Sequence, residues 1–333
     1  MKLTVQQVKE EKPMINKEYA AVEILLTTCS DCKEGENILI VSDPTSYPVA
    51  EKMWAGMGRF PKKSIVLMDE RTMHGQQPNE MVASAMYEAD VIFGCTKFSL
   101  FHTQARREAV ANGARFINMA DYDVSMLKAG GLFCDFVEVG KKCSRMAELL
   151  ENKAECKIVA DNGTSFTCSI KDRKPVPQYA RSLRSGESTS PPDIECATCA
   201  VEGSAQGIIY IDGSIPHPRL GLIHDEIRLE IKDGFIVKIT GGKQAETLKE
   251  VMEGFNDPNV FNVGEIGFGL NDKCSLNGRM LEDEGCGGTV HIGCGDNRGF
   301  GGVVASDYHL DLVFKTPTVY IDGEKVYNKG EVC

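Results

Sequence analysis

The stretch NILIVSDPTSYPVAEKMWAGMGRFPKKSIVLMD, residues 37–69, reads as strand, helix, strand. NILIVSD (37–43) and SIVLMD (64–69) are short continuous apolar runs, while YPVAEKMWAGMGRF between them carries its apolar residues at helical spacing. The unit recurs downstream. NEMVASAMYEA and TQARREAVANG are amphipathic, and DVIFGC (90–95) and ARFINMA (114–120) are again buried-strand runs. This alternation predicts an α/β domain, a parallel sheet with helices on both faces. The turn after the first strand, SDPTSYPVAE, has no glycine to let a pyrophosphate approach a helix terminus, which argues against a dinucleotide site.

Beyond about residue 150 the pattern changes. AECKIVADNGTSFTCSIKD alternates around an Asn-Gly turn, and GIIYIDG, EIRLEIKDGFIVKITGG, DYHLDLVF and PTVYIDGEKVY continue the alternation. Only KQAETLKEVMEGF reads as a helix. The sequence therefore predicts two domains, an α/β domain over 1–150 and a β-rich α+β domain over 151–333, with the boundary within SRMAELLENKAE (144–155). The polar stretch KPVPQYARSLRSGESTSPP (174–192) reads as a loop.

Charge narrows the function. With 37 Lys+Arg against 48 Asp+Glu the chain of 333 residues carries −11, a field that repels nucleic-acid backbones and anionic membrane surfaces. The expected partner is a small molecule or a peptide. Thirteen cysteines, scattered and odd in number, read as reduced thiols of a cytoplasmic protein. The opening MKLTVQQVKEEKPMINKEY has no apolar core of a signal peptide, and no run is long and apolar enough to span a bilayer.

Six histidines are present, so each can be weighed. His309 and Asp311 stand in SDYHLDLVF, where strand alternation puts i and i+2 on one face; the plain alternative is a strand with a polar outer side. His291 lies in GCGGTVHIGCGDNRGFGG (285–302), whose eight glycines read as a loop that turns sharply or approaches a ligand. His291, His309 and Asp311 make a two-histidine, one-carboxylate set suited to a divalent transition metal. Glu265, enclosed by glycine and apolar residues in NVGEIGFGLN, and Glu187, in SGESTSPP, are further candidate ligands; five ligands suit two ions better than one. His102, in FHTQARREA, reads either as a substrate-facing proton carrier or as a neighbour of a helix cap. His217 and His224 flank a possible cavity wall, and His74 reads as a loop residue. The pairs Cys29/Cys32 and Cys196/Cys199 stand 164 residues apart, too far for a zinc ribbon, and read as free thiols.

At this point the motifs GTSFTCSIKDR, SGEST, GLIHDEIRLEIKDGFIVKITGG, NVGEIGFGLN, HIGCG and HLDLVF, with TKFSLFHTQARREAVANGARFINMADYDVSML in the first half, resemble the aminopeptidase T and aminopeptidase S metallopeptidases. The resemblance implies a two-metal site (Zn, Co or Mn) in the C-terminal domain, a homodimer, and hydrolysis of a small amide or N-terminal peptide bond by a metal-activated water. It maps the ligands onto Glu187, Glu265, His291, His309 and Asp311, with Glu187 or Glu265 a candidate general base. Where the peptidases place a tyrosine seven residues after the first histidine, this sequence has Arg298, a fixed cation able to hold a substrate carboxylate or an oxyanion. The superfamily that these motifs resemble also includes the 2,5-dihydroxypyridine 5,6-dioxygenases, so the resemblance implies Fe(II)-dependent ring cleavage as the alternative expectation.

Overall fold

The computed structural model describes residues 16–329 and 331–333. The segment read for a signal peptide falls largely on 1–15, outside the described residues. The apolar runs of the first half form a parallel sheet in the order Lys63–Leu67, Ile38–Ser42, Val91–Cys95, Arg115–Asn118, with Ser188–Thr189 added beside the last. Alternation along Ile38–Ser42 sends Ile38 and Ile40 to one face and Leu39 and Val41 to the other. Helices Lys17–Ile24 and Tyr47–Gly56 cover the first face through Val22, Val49 and Met53. Glu80–Tyr87 and Gln104–Ala111 cover the second through Val82, Met86 and Ala109. Burial on both faces explains why these strands are continuous apolar runs rather than alternating ones.

The rest of the chain builds two antiparallel sheets. One has eight strands in the order Phe235–Thr240, Ile227–Lys232, Gln206–Ile211, Ser165–Ser169, Glu155–Val159, Thr318–Ile321, Glu324–Asn328, Glu331–Val332. The other has seven: Gly221–Leu222, Ser214–Ile215, His309–Lys315, Thr289–Gly295, Val263–Gly269, Glu195–Cys199, Val176–Gln178. An α/β fold with a β-rich partner is thus what forms. Helix Phe136–Leu150, buried along Phe136, Val139, Cys143 and Met146, ends inside SRMAELLENKAE. One local expectation is corrected. The stretch 174–192 holds two short strands, Val176–Gln178 and Ser188–Thr189, since polar residues suffice at sheet edges.

All thirteen cysteines are free, among them Cys29, Cys32, Cys196 and Cys199, as read. No helix among the described residues is long and apolar enough to cross a membrane.

Arg115 fastens the first sheet to the CSDC turn. It is 5% exposed, donates to the carbonyls of Ser30 and Asp31 at 2.6 and 2.9 Å, and reaches both Glu36 oxygens at 2.6 Å. Removing one partner of such a pair leaves carbonyls and a half-buried carboxylate unpaired. Arg115→Met is expected to cost about 2–4 kcal/mol, below the full range for a wholly buried pair because Glu36 keeps some solvent. Urea unfolding checks it, as a lowered midpoint at unchanged slope.

Candidate metal centre

The seven-stranded sheet aligns its polar residues by register. Gly269 pairs with Glu195, Glu265 with Gly293, Gly267 with His291, Gly293 with Asp311 and Gly295 with His309. Since side chains alternate, Glu195, Glu265, His291, His309 and Asp311 all leave the same face of four adjacent strands. The glycines between them make the room. A Cβ on Gly267 would sit 2.0 Å from His291 Nε2, and one on Gly293 would sit 2.7 Å from Glu265 Cβ and 2.8 Å from His309 Cε1. The glycine-rich segment read as a loop is therefore corrected: Thr289–Gly295 is a buried strand, and its glycine at 293 makes way for side chains of the neighbouring strands.

The functional ends converge. His291 Nε2 lies 3.2 Å from Glu195 Oε2, 3.6 Å from Glu265 Oε1 and 3.9 Å from Asp311 Oδ1. His309 Nε2 lies 3.0 Å from Glu265 Oε2 and 3.4 Å from Asp311 Oδ1. Two ligand sets result, Glu195/Glu265/His291 and Glu265/His309/Asp311, each with its donor atoms within 4.8 Å of one another and both using Glu265. All are buried except His309, whose side chain keeps 33% of its surface open. The cluster has one accessible face.

Without a cation these groups are poorly satisfied. Glu195 Oε2, Asp311 Oδ1 and His291 Nδ1 are buried with no hydrogen-bond partner. Burial opposes charge on His291, but the carboxylates of Glu195, Asp311 and Glu265 outweigh it and push the imidazole up to about 9. His309 rises too, against its burial, through Asp311 and Glu265. Asp311 is held below the usual carboxylate range because the two imidazoles outweigh its burial. Burial and then the neighbouring acid Asp193 raise Glu195. A mixed oxygen–nitrogen donor set, orphaned and convergent, fits a divalent transition metal.

His309 is oriented from behind. Its Nδ1–H donates to the Asp296 carbonyl at 2.9 Å, which leaves Nε2 as the free donor atom. The Phe300 ring stacks on it at 5.8 Å, tilted by 22°. Arg298, on the turn Arg298–Phe300, is exposed and pairs through Nε with the Asp296 carboxylate at 2.7 Å. His102, on the N-terminal side, lies at the solvent boundary against Phe101; packing around it, then the charge of His309, lowers its imidazole to about 4. It shares electrostatic reach with the cluster without belonging to it.

Glu187 is not brought to the cluster. Its carboxylate accepts the N–H groups of Leu183 and Arg184 at 2.9 and 3.0 Å and pairs with the Arg184 side chain, while its carbonyl accepts from Phe116 N–H in the parallel sheet. The turn consumes the acid locally. Glu195, eight residues on, stands beside His291 instead. The signal is in the sequence: in DIECATCAV (193–201) Asp193 and Glu195 stand among mostly apolar residues, where a charge has no structural reason to be. Burial, followed by the charges of nearby acids, raises both Asp193 and Glu284, which flank the cluster.

The family described as NicX, 2,5-dihydroxypyridine 5,6-dioxygenase, matches residues 26–333. The chain belongs to this family. The curated 2,5-dihydroxypyridine 5,6-dioxygenase of Pseudomonas putida KT2440 is 29% identical over 194 residues, an alignment covering 55% of each chain, so it spans about half the length of that relative. In fold, the chain is similar to the solved 2,5-dihydroxypyridine dioxygenase of Pseudomonas putida KT2440, with TM-score 0.79 at 22% identity over 96% of this chain and 98% of that one. It is also similar to AmpT from Thermus thermophilus, with TM-score 0.68 at 13% identity over 95% and 98%. The superfamily expectation thus holds at the level of fold, but membership in the NicX family overturns the reading as a metalloaminopeptidase, protease or other hydrolase. The physical reason is that a shared scaffold and ligand set do not choose the reaction. The departure at Arg298 already pointed away from peptidases.

Proposed function

We propose that this protein is an Fe(II)-dependent dioxygenase that opens a hydroxylated N-heteroaromatic ring of the 2,5-dihydroxypyridine type. The observation that carries it is a buried mixed carboxylate–imidazole cluster with a single open side in a chain of the NicX family. Glu265, His309 and Asp311 would hold the ion, since this set includes the one side chain open to solvent; His291 and Glu195 fix Glu265 from the buried side. When bound, Fe(II) would supply a redox-active Lewis acid for oxygen chemistry.

The chain's own groups do the rest. His102, lowered by packing and then by the charge of His309, is uncharged at neutral pH and accepts a hydrogen bond from a ring hydroxyl, orienting the ring. Arg298, paired with Asp296, and Arg107, whose guanidinium among the described residues donates to the His102 carbonyl and the Gln104 side chain, would hold an electron-rich or anionic ring. Phe300 keeps water from one side of His309.

The test is protein purified without oxygen, loaded with Fe(II) and given 2,5-dihydroxypyridine. Stoichiometric O₂ uptake with loss of the ring absorbance is expected, and chelation abolishes both. Full metal loading with no O₂ uptake on any hydroxypyridine would sink the reading.

A further inference from the structure

The segment after strand Thr289–Gly295 carries both groups that orient His309, the Asp296 carbonyl and the Phe300 ring, so whatever fixes this segment fixes the imidazole. It is glycine-rich at 299, 301 and 302; a Cβ on Gly299 or Gly301 would meet nothing within 4 Å, and one on Gly302 would strike the Asn297 side chain, so away from Asn297 packing does not hold it. Hydrogen bonds do. Glu202 Oε1 accepts the Val303 N–H at 2.9 Å and the Asn297 side-chain N–H at 3.1 Å. Glu202 Oε2 pairs with Arg173, whose guanidinium also donates to the Gly301 carbonyl. Asn297 is buried, and its side-chain oxygen accepts the Val304 N–H at 2.8 Å. One carboxylate therefore ties three points of the segment, 297, 301 through Arg173, and 303.

Its position matters. Glu202 follows strand Glu195–Cys199 by three residues, so the tie runs from the strand that carries Glu195 to the segment that aims His309. Burial pushes the Glu202 carboxyl up, but the Val303 N–H, Asn297 and Arg173 outweigh it and keep the group ionised.

We propose that Glu202, with Arg173, is a positioning residue that sets the orientation of His309 toward the metal from outside the ligand set. The inference rests on the reading that His309 is a ligand. Loss of an outer partner behind a metal-bound imidazole typically costs 10–100-fold in affinity.

Metal-free protein titrated with Co(II) under anaerobic conditions tests it, because cobalt's visible absorption reports ligand geometry independently of turnover. Glu202→Ala is expected to weaken Co(II) by about 10–100-fold and to alter the band. Glu202→Gln keeps an oxygen for Val303 and Asn297 but turns an amide toward Arg173, so it should fall between Ala and wild type; it also serves if the alanine variant fails to fold. Glu148→Gln, which removes an exposed pair with Arg145 on helix Phe136–Leu150, should match wild type. If both Glu202 variants bind Co(II) within about twofold of wild type with an unchanged band, the proposal is wrong, even where thermal stability falls. If His309→Ala also binds with wild-type affinity and spectrum, the ligand reading itself fails and takes the proposal with it.

Discussion

His309→Ala will lose its metal and its ring-opening activity while keeping its fold. Nε2 of His309 stands 3.0 and 3.4 Å from the two carboxylates with which it forms the open ligand set. Groups behind a ligand already cost 10–100-fold, so deleting the ligand itself should exceed about 100-fold in affinity. The fold survives because the core of three sheets is closed without the ion and His309 is the most exposed member of its cluster. Iron per subunit, far-UV dichroism and the melting temperature check the three statements. Glu195→Gln should also reduce bound metal, whereas Glu187→Gln, changing only a local turn, should leave metal content at wild-type level. Full turnover by iron-free His309→Ala would show that the ion plays no part in the reaction.

Metal affinity will fall as pH falls. In the metal-free cluster His291 titrates near 9 and His309 is also raised, so at neutral pH both imidazoles are cationic. An imidazole must be neutral to ligate. His309, the imidazole of the open ligand set, is raised, so each ion bound at neutral pH displaces at least one proton, and affinity should drop by up to about tenfold per pH unit for each proton released. The sign for stability is the opposite. A histidine raised from 6.5 to about 9 by folding contributes stability to the metal-free protein below pH 6.5, and that contribution is lost as pH rises through 9. Loading metal should thus flatten or reverse the alkaline loss. Calorimetric titration in buffers of different ionisation enthalpy counts the protons; uptake without proton release would contradict the raised imidazoles.

The first sheet was legible because burial on both faces leaves an unambiguous mark, a continuous apolar run bounded by turn residues. His309 and Asp311 were legible because strand alternation alone puts them on one face, and Glu265 because glycine and apolar residues leave a lone acid nowhere to be solvated. Glu195 is marked in the sequence only as a charge beside apolar residues, while the SGEST motif points to Glu187; the strand register decides that Glu195 is the acid facing His291. The strand at Thr289–Gly295 was hidden by its glycines. Local propensity marks glycine as loop, but here cross-strand crowding by Glu265 and His309 requires it. The reaction is least legible of all, because hydrolases and oxygenases can share the same donors; Arg298 departs from the peptidase pattern, and the family match separates the two readings.

Strand Ser188–Thr189 covers the edge of the parallel sheet beside Arg115–Asn118. An uncovered parallel edge is a template for unintended pairing with another chain, and this one is closed by two residues contributed from more than seventy positions later in the sequence. During synthesis the first four strands therefore emerge before the residues that cover that edge, and any pairing among them leaves it open until residue 189 follows. The window of vulnerability to misassembly is set by translation speed, and it closes only as the first acids of the metal cluster leave the exit tunnel.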